Sequence, residues 1–483
     1  MAFDLNSQTP LDPEDQDVAP MLNELQGNIL KWHGREYTAQ IFLRFKEGAA
    51  TAVKTFIKGF SECSITSAAK QIKEGELYRT EGIVGDLFGN FYLSARGYEY
   101  MGFTGNQVPQ DPRFLAGMKA SQQELNDPDL GDWEEWYRGD IHAMILLADD
   151  ILPALNRDLR RVLSQLREIA DVLTIERGSV LRNNNEDPIE HFGYVDGISD
   201  PLFLKGDIEK ADKSGRDKWD PLASLSLALV PDPNISDDSA FGSYLVFRKL
   251  EQNVRGFEME KERLADALGL KGDDRERAGA LVVGRFEDGT PMTLHEKAQD
   301  SPGTNNFDYS EDDGSRCPFH AHLRKTNPRG DSVARDRYGS RPAAEFEAER
   351  AHRVVRRGIP YGKREVEPKD SPALEELPTG GVGLLFMCFQ SDIGNQFEFI
   401  QKSFSNDPDF PKRGTGPDPL TGQGPSQAQD WPVEWGQPAT AQFDFQRFVT
   451  LKGGEYFFAP SISFLKTMET TAPPGEGYPS SPY

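Results

Sequence analysis

DIHAMILLADDILPALNRDLRRVLSQLREIADVLTIERG, residues 140–178, reads as a strand, a helix and a second strand in succession. The bulky run at 140–149 is a buried strand. In 151–170, Leu152, Leu155, Leu159, Val162, Leu166 and Ile169 recur every three or four residues, which places them on one helical face. Residues 171–178 return to a β-rich pattern. Upstream, AQIFLRF (39–45) is a strand, and 49–60 is a helix presenting Val53, Phe56, Ile57 and Phe60. Residues 82–94 form a strand pair or extended segment leading into a short helix at 96–102. The order is β-α-β-β-α-β, the split unit of ferredoxin-like folds.

The same order recurs downstream. SYLVFRKL (243–250) is a strand, 257–270 a helix resumed at 275–285, and 352–358 and 381–390 are strands. A helix at 394–404 and a strand at 448–460 complete the copy. The fold class is therefore α+β, with two ferredoxin-like (βαββαβ) domains. A Pro/Asp-rich disordered or extended segment at 1–20 precedes the first domain, 21–185. The second, 186–470, carries a long loop-rich insertion at about 286–350, and a flexible Pro/Gly-rich tail follows at 471–483. Loops that long in a compact domain are usually functional.

Bulk composition narrows the function. The 483 residues hold 54 basic against 78 acidic side chains, a net charge of −24. Such a surface excludes nucleic acid and anionic membranes as partners. Three scattered cysteines, Cys63, Cys317 and Cys388, make neither a disulfide framework nor a zinc site. The first residues lack the basic and apolar regions of a secretory signal, and no apolar run is long enough to span a bilayer, so a cytoplasmic protein is expected.

Four stretches concentrate chemistry. HFGYVDGISDP (191–201) sets Asp196 between Gly193 and Gly197 among apolar neighbours. CPFHAHLRKTNPR (317–329) offers His320 and His322, two residues apart and so no obvious metal pair. One of them can serve as a single axial ligand, and the basic Arg324, Lys325 and Arg329 suit the carboxylates of a porphyrin. AHRVVRRGIPYG (351–362) brings Arg356 and Arg357 from a strand end. TGPDPLTGQGP (415–425) is a Gly/Pro turn around Asp418, and GLLFMCFQ (383–390) places Leu384 and Phe386 on one strand face. Read alone, each has an ordinary structural explanation: an Asx-turn, a surface arginine, core packing. His33, His142 and His295 read as structural histidines.

Together, and in this order, these stretches resemble the dye-decolourising (DyP-type) haem peroxidases, in a longer cytoplasmic-type form. GYVDG matches that family's Gly-x-x-Asp-Gly signature, and LQGNILKWHGR (25–35) and GGEYFFAPS (453–461) resemble stretches near its two ends, so the resemblance spans nearly the whole chain. It implies a fold of two ferredoxin-like halves with antiparallel sheets, related to the dimeric α+β barrels. It also implies one haem b per chain, with His322 as axial ligand and His320 at a position where the family more often has a small residue. Asp418 would accept a hydrogen bond from the ligand, with Glu398 as fallback. Asp196 would move the proton of hydrogen peroxide, and Arg356 would stabilise charge on the departing oxygen, leaving a ferryl haem. Leu384 and Phe386 would cover the distal pocket and Arg324 would bind cofactor. Arg357 is expected to face outward or form a salt bridge, Tyr194 and Val195 to pack away, and Asp200 to be a turn or surface residue. Electron donors would be dyes, small phenols and, given the acidic surface, Mn(II). Bulky dyes would react at an exposed Trp431, Trp435 or Tyr338. The alternative is a haem-handling protein with little turnover.

Overall fold

In a computed structural model, which describes residues 4–300, 303–332, 343–370 and 372–468, one antiparallel sheet runs through both halves of the chain. Its principal strands are β1 (Tyr37–Phe45), β2 (Phe88–Leu93), β3 (Ala143–Asp149), β4 (Ala170–Ser179), β5 (Phe241–Gln252), β6 (Val355–Arg356), β7 (Ile359–Tyr361), β8 (Gly383–Gln390) and β9 (Val449–Ala459). The first half orders its strands β2-β3-β1-β4 and the second β7-β8-β5-β9, the same ferredoxin-like arrangement twice. The halves expected on either side of residue 185 do not have separate sheets. β9 meets β2 at Phe458 and Leu93, and β7 meets β4 at Tyr361 and Gly178, so eight strands close into a barrel.

Closure explains the strand compositions. In β1 residues 38–43 are all buried, because one face lines the barrel and the other lies under helices. Inside, Phe42 meets Tyr137 edge-on at 5.4 Å and Phe247 at 4.7 Å, with Phe457 at 6.2 Å. The polar members of this interior are paired: Lys249 Nζ donates to Glu134 and Glu176, and Tyr137 also donates to Glu176.

The expected helices form as α1 (Ala50–Cys63), α3 (Leu152–Leu166), α4 (Val254–Ala267) and α5 (Glu276–Val283). Apolar periodicity does not predict α2 (Ala68–Glu81), which is polar on most sides. It is marked instead by its ends, where Ser67 accepts from Lys70 N–H and Gly82 stops the helix at φ +69°. A short α6 (His322–Thr326) lies in the insertion. Two further predictions are corrected. The helix expected at 394–404 winds as two π-helical segments, Gly394–Glu398 and Ile400–Ser405. The strand expected at 352–358 breaks after Arg356. The described part of the N-terminal segment runs through turns and is held down: Leu11 is buried and its N–H donates to Phe203 O at 2.8 Å. Among the described residues no helix is long and apolar enough to cross a membrane.

Candidate active site

A cavity of about 260 Å³ lies on the outer face of the second half's sheet. Its floor follows from strand alternation: Leu384 pairs with Leu250 and Phe386 with Arg248, and all four side chains line the cavity. Arg356 is opposite Cys388, two residues beyond Phe386, and so shares that face. The roof is the π-helical segment, through Phe397, Ile400 and Gln401, with the N-terminal end of α6.

One wall is imidazole and carboxylate. His322 Nδ1 lies 2.7 Å from Asp418 Oδ2, and Asp418 is fully buried. The carboxylate also accepts the N–H groups of Leu420 and Thr421 and the Thr421 hydroxyl. Burial alone would raise the Asp418 pKa. The adjacent His322 and these bonds outweigh it and hold the carboxyl below the usual carboxylate range. With Nδ1 committed to Asp418, Nε2 is the ring's remaining ligating nitrogen, and the ring faces the cavity. An imidazole oriented by a carboxylate above an apolar floor suits an axial haem ligand. His320 does not share this position. It is buried edge-on against Trp431, 4.3 Å between ring centroids. Glu398 is elsewhere too, accepting from Ser121 and Tyr456.

The opposite wall is carboxylate and guanidinium. Gly193 and Gly197 turn the chain at φ +98° and +81°, a region that favours glycine. Asp196 between them accepts from Arg356 at 2.8 Å and from the N–H of Gly197 at 2.7 Å. Burial pushes this carboxyl up, but Arg356, the Gly197 N–H and the charge of His322 bring it below the ordinary value. Asp196 and Arg356 remain 37% and 31% exposed, open to the cavity, as a group that meets a small reactant must be.

Several expectations fail for identifiable reasons. Arg324 does not reach the cavity. It is fully buried, bonded to Asp331 and to the carbonyls of Cys317 and Asp312, between the rings of Phe319 and Tyr309. Lys325 donates to the carbonyls of Asp407 and Gly416, and Arg329 to those of Asn305 and Phe307, so this basic run braces the insertion. The cavity's own arginines without a carboxylate partner among the described residues are Arg285 and Arg353, and burial depresses them to about 10 and about 9. Arg357 does not face outward but forms the salt bridge that is its other expected role, to Asp200, from a buried position. It also donates to Asn28 O and Ile29 O. Asp200 is no surface turn residue, because Arg356 and Arg357 both bond to it. Val195 lines the cavity instead of packing away from it, whereas Tyr194, though it borders the cavity, packs its ring edge-on to Phe257 in the core of the second half as expected. Glu190, which no motif flagged, also lines the cavity and is pushed up to about 7 by burial. Trp431 is fully buried and Trp435 is half-buried under Arg316, whereas Tyr338 lies outside the described residues.

Comparison with known proteins identifies the fold and the family. Residues 24–181 match the DyP dimeric alpha+beta barrel domain, and 228–412 the Dyp-type peroxidase C-terminal model. The chain is 44% identical to the multifunctional dye peroxidase DyP2 of Amycolatopsis sp., over 97% of this chain and all of that one. A solved DyP-type peroxidase from Anabaena sp. superposes with a TM-score of 0.90 at 44% identity, covering 97% of this chain and 100% of its own. A fungal one from Auricularia auricula-judae gives 0.74 at 27% identity, covering 93% and 99%.

Proposed function

The chain belongs to the dye-decolourising peroxidase family and is a haem-dependent peroxidase, and from that premise we propose that His322, Asp418, Asp196 and Arg356 form its working site. The observation that carries the assignment is the pair of hydrogen-bonded dyads facing each other across one cavity. His322 would hold the haem iron through Nε2, with Asp418 fixing the ring and raising its basicity. Haem supplies the two-electron reduction of peroxide and the oxidising equivalents passed to the donor. We read the cofactor as haem b, one per chain; that none of the three cysteines lines the cavity supports a haem without covalent links to the protein. Arg285 and Arg353 replace Arg324 as the anchors for its carboxylates.

Asp196, ionised at rest, takes the proton from one peroxide oxygen and delivers it to the other as that oxygen leaves as water. The Arg356 cation keeps Asp196 ionised and stabilises the charge that develops on the leaving oxygen. Leu384, Phe386 and Phe397 narrow the space to peroxide and small phenolic donors. Dyes too large for it must deliver electrons at the surface, and Trp435 is the remaining candidate among the described residues. Mn(II), which the acidic composition invites, finds no cluster of three imidazole, thiol or carboxylate ligands among them. Three unpaired cysteines accord with a cytoplasmic setting.

The test is spectroscopic and kinetic together. Wild-type protein loaded with haem should show a Soret band that His322→Ala removes and His320→Ala keeps. Peroxide-driven dye oxidation should collapse in Asp196→Asn and in Arg356→Leu. Haem binding with unchanged turnover in both variants would sink the proton-transfer assignment, whereas haem binding with little turnover in the wild type would favour a haem-handling role.

A further inference from the structure

Arg356 is held by two carboxylates, and the proton-transfer reading uses only one of them. Asp196 Oδ1 accepts from Nη1 at 2.8 Å, while Asp200 Oδ1 accepts from Nε at 3.2 Å. The other oxygen of Asp200 accepts from Arg357 Nη1 at 3.3 Å. Arg357 is 4% exposed and donates to Asn28 O at 2.7 Å and Ile29 O at 3.0 Å. A continuous chain therefore runs from the backbone of the segment before β1, through Arg357 and Asp200, to the guanidinium beside the cavity. A guanidinium gripped only at its tip can swing through the single bonds of its side-chain stem, and a second carboxylate on Nε removes that freedom. The two acids are four residues apart, on either side of Gly197 in one loop, so that loop sets both contacts.

We propose that Asp200 is a positioning residue, which fixes the Arg356 guanidinium over the cavity by tying it through Arg357 to the N-terminal segment. The proposal rests on the assignment of Asp196 and Arg356 made above. The charged groups facing Asp200 are Arg356, Arg357 and Asp196, with Glu190 and His322 acting on Asp196 in turn. Burial raises the Asp200 carboxyl, against both arginines and with the help of Asp196, whereas Asp196 lies below its ordinary value. On acidification Asp200 therefore takes a proton before Asp196 does, and the guanidinium loses its second grip first.

The experiment measures kcat/KM for hydrogen peroxide against pH in haem-loaded wild type, Asp200→Asn and Asp196→Asn. Asp200→Asn should keep the wild-type Soret band and lose about 10- to 100-fold in kcat/KM, as expected for a misaimed group. Its acid limb should drop one ionisation and begin at lower pH, which a merely structural role would not produce. A wild-type rate and limb in Asp200→Asn, with Asp196→Asn impaired, would overturn this proposal alone. Wild-type rates in Asp196→Asn would overturn it together with the reading beneath it. Should Asp200→Asn fail to take up haem, Arg357→Gln interrupts the same chain one link further out. A several-fold lower kcat/KM there supports the proposal, and an unchanged one overturns it.

Discussion

The two halves of the barrel share a strand order and use it differently. In the first, the outer face of the sheet is sealed by helix: Leu155, Leu159, Val162 and Leu166 of α3 are all at most 3% exposed. In the second, the corresponding face carries Arg248, Leu250, Gln252, Leu384 and Phe386, and these line a cavity. The insertion that brings His322 and the π-helical segment hold the covering layer off the sheet. The same topology thus closes as core in one half and opens as a binding site in the other. What differs is the outward residue of each strand pair and the length of the segment between strands.

That contrast can be broken most severely at the loop that carries Asp196. Asp196→Asn should lower kcat/KM for peroxide by about 10²- to 10⁴-fold, the usual yield of positioned proton transfer, while thermal unfolding stays near wild type. Wild-type activity should persist into acid, decline first as Asp200 takes up its proton, and be lost as pH drops through the depressed pKa of Asp196, where the base is protonated. A dye-oxidation optimum above pH 7 would contradict that base.

The reverse substitution belongs in the sealed half. Leu155→Ala should cost about 2–5 kcal/mol in denaturant unfolding, as deletion of a fully buried leucine does, with turnover per folded molecule unchanged. Leu384→Ala, half-buried at the cavity floor, should cost at most about 1 kcal/mol but change KM for phenolic donors. Equal stability losses would erase the distinction between the halves.

Asp418→Asn tests the ligand wall, with about a 10- to 100-fold loss in haem affinity or activity, read by haem titration and by rate. The smallest effect is expected at Glu190. Its pKa is raised by burial from 4.5 to about 7, so the folded protein holds this proton more tightly than the unfolded chain. Stability from this group is full below the ordinary carboxylate range and is lost as pH rises toward about 7. Glu190→Gln should flatten the stability profile across that window, measured by chemical unfolding at several pH values.

Residue patterns revealed the site and the fold unequally. The helix at 152–166 and the barrel strands are legible because their apolar spacing matches their period. Asp196, His322, Arg356, Leu384, Phe386 and Asp418 are legible because they stand in short motifs. Barrel closure is not, since it rests on single residue pairs between strands far apart in sequence. Arg324 misled because a basic residue beside a ligand looks the same whether it faces a cofactor or braces a loop. Asp200 had a signal that went unused: a second acid on the Asp196 loop, matching a second arginine beside Arg356. Arg285 and Glu190 carry no local signal, because only tertiary folding brings them to the cavity, whereas Arg353 stands in the same stretch as Arg356 and went unused.

The closed ring also bears on biosynthesis. β4 is complete at Ser179, yet the outer edges of β2 and β4 have no partners until β7 and β9 emerge, β9 ending at Ala459. At ribosomal speeds that leaves two open edges for on the order of tens of seconds. Unpaired edges invite pairing with other chains. Nascent chains halted between these points should therefore bind holdase chaperones and aggregate, and chains released past β9 should not.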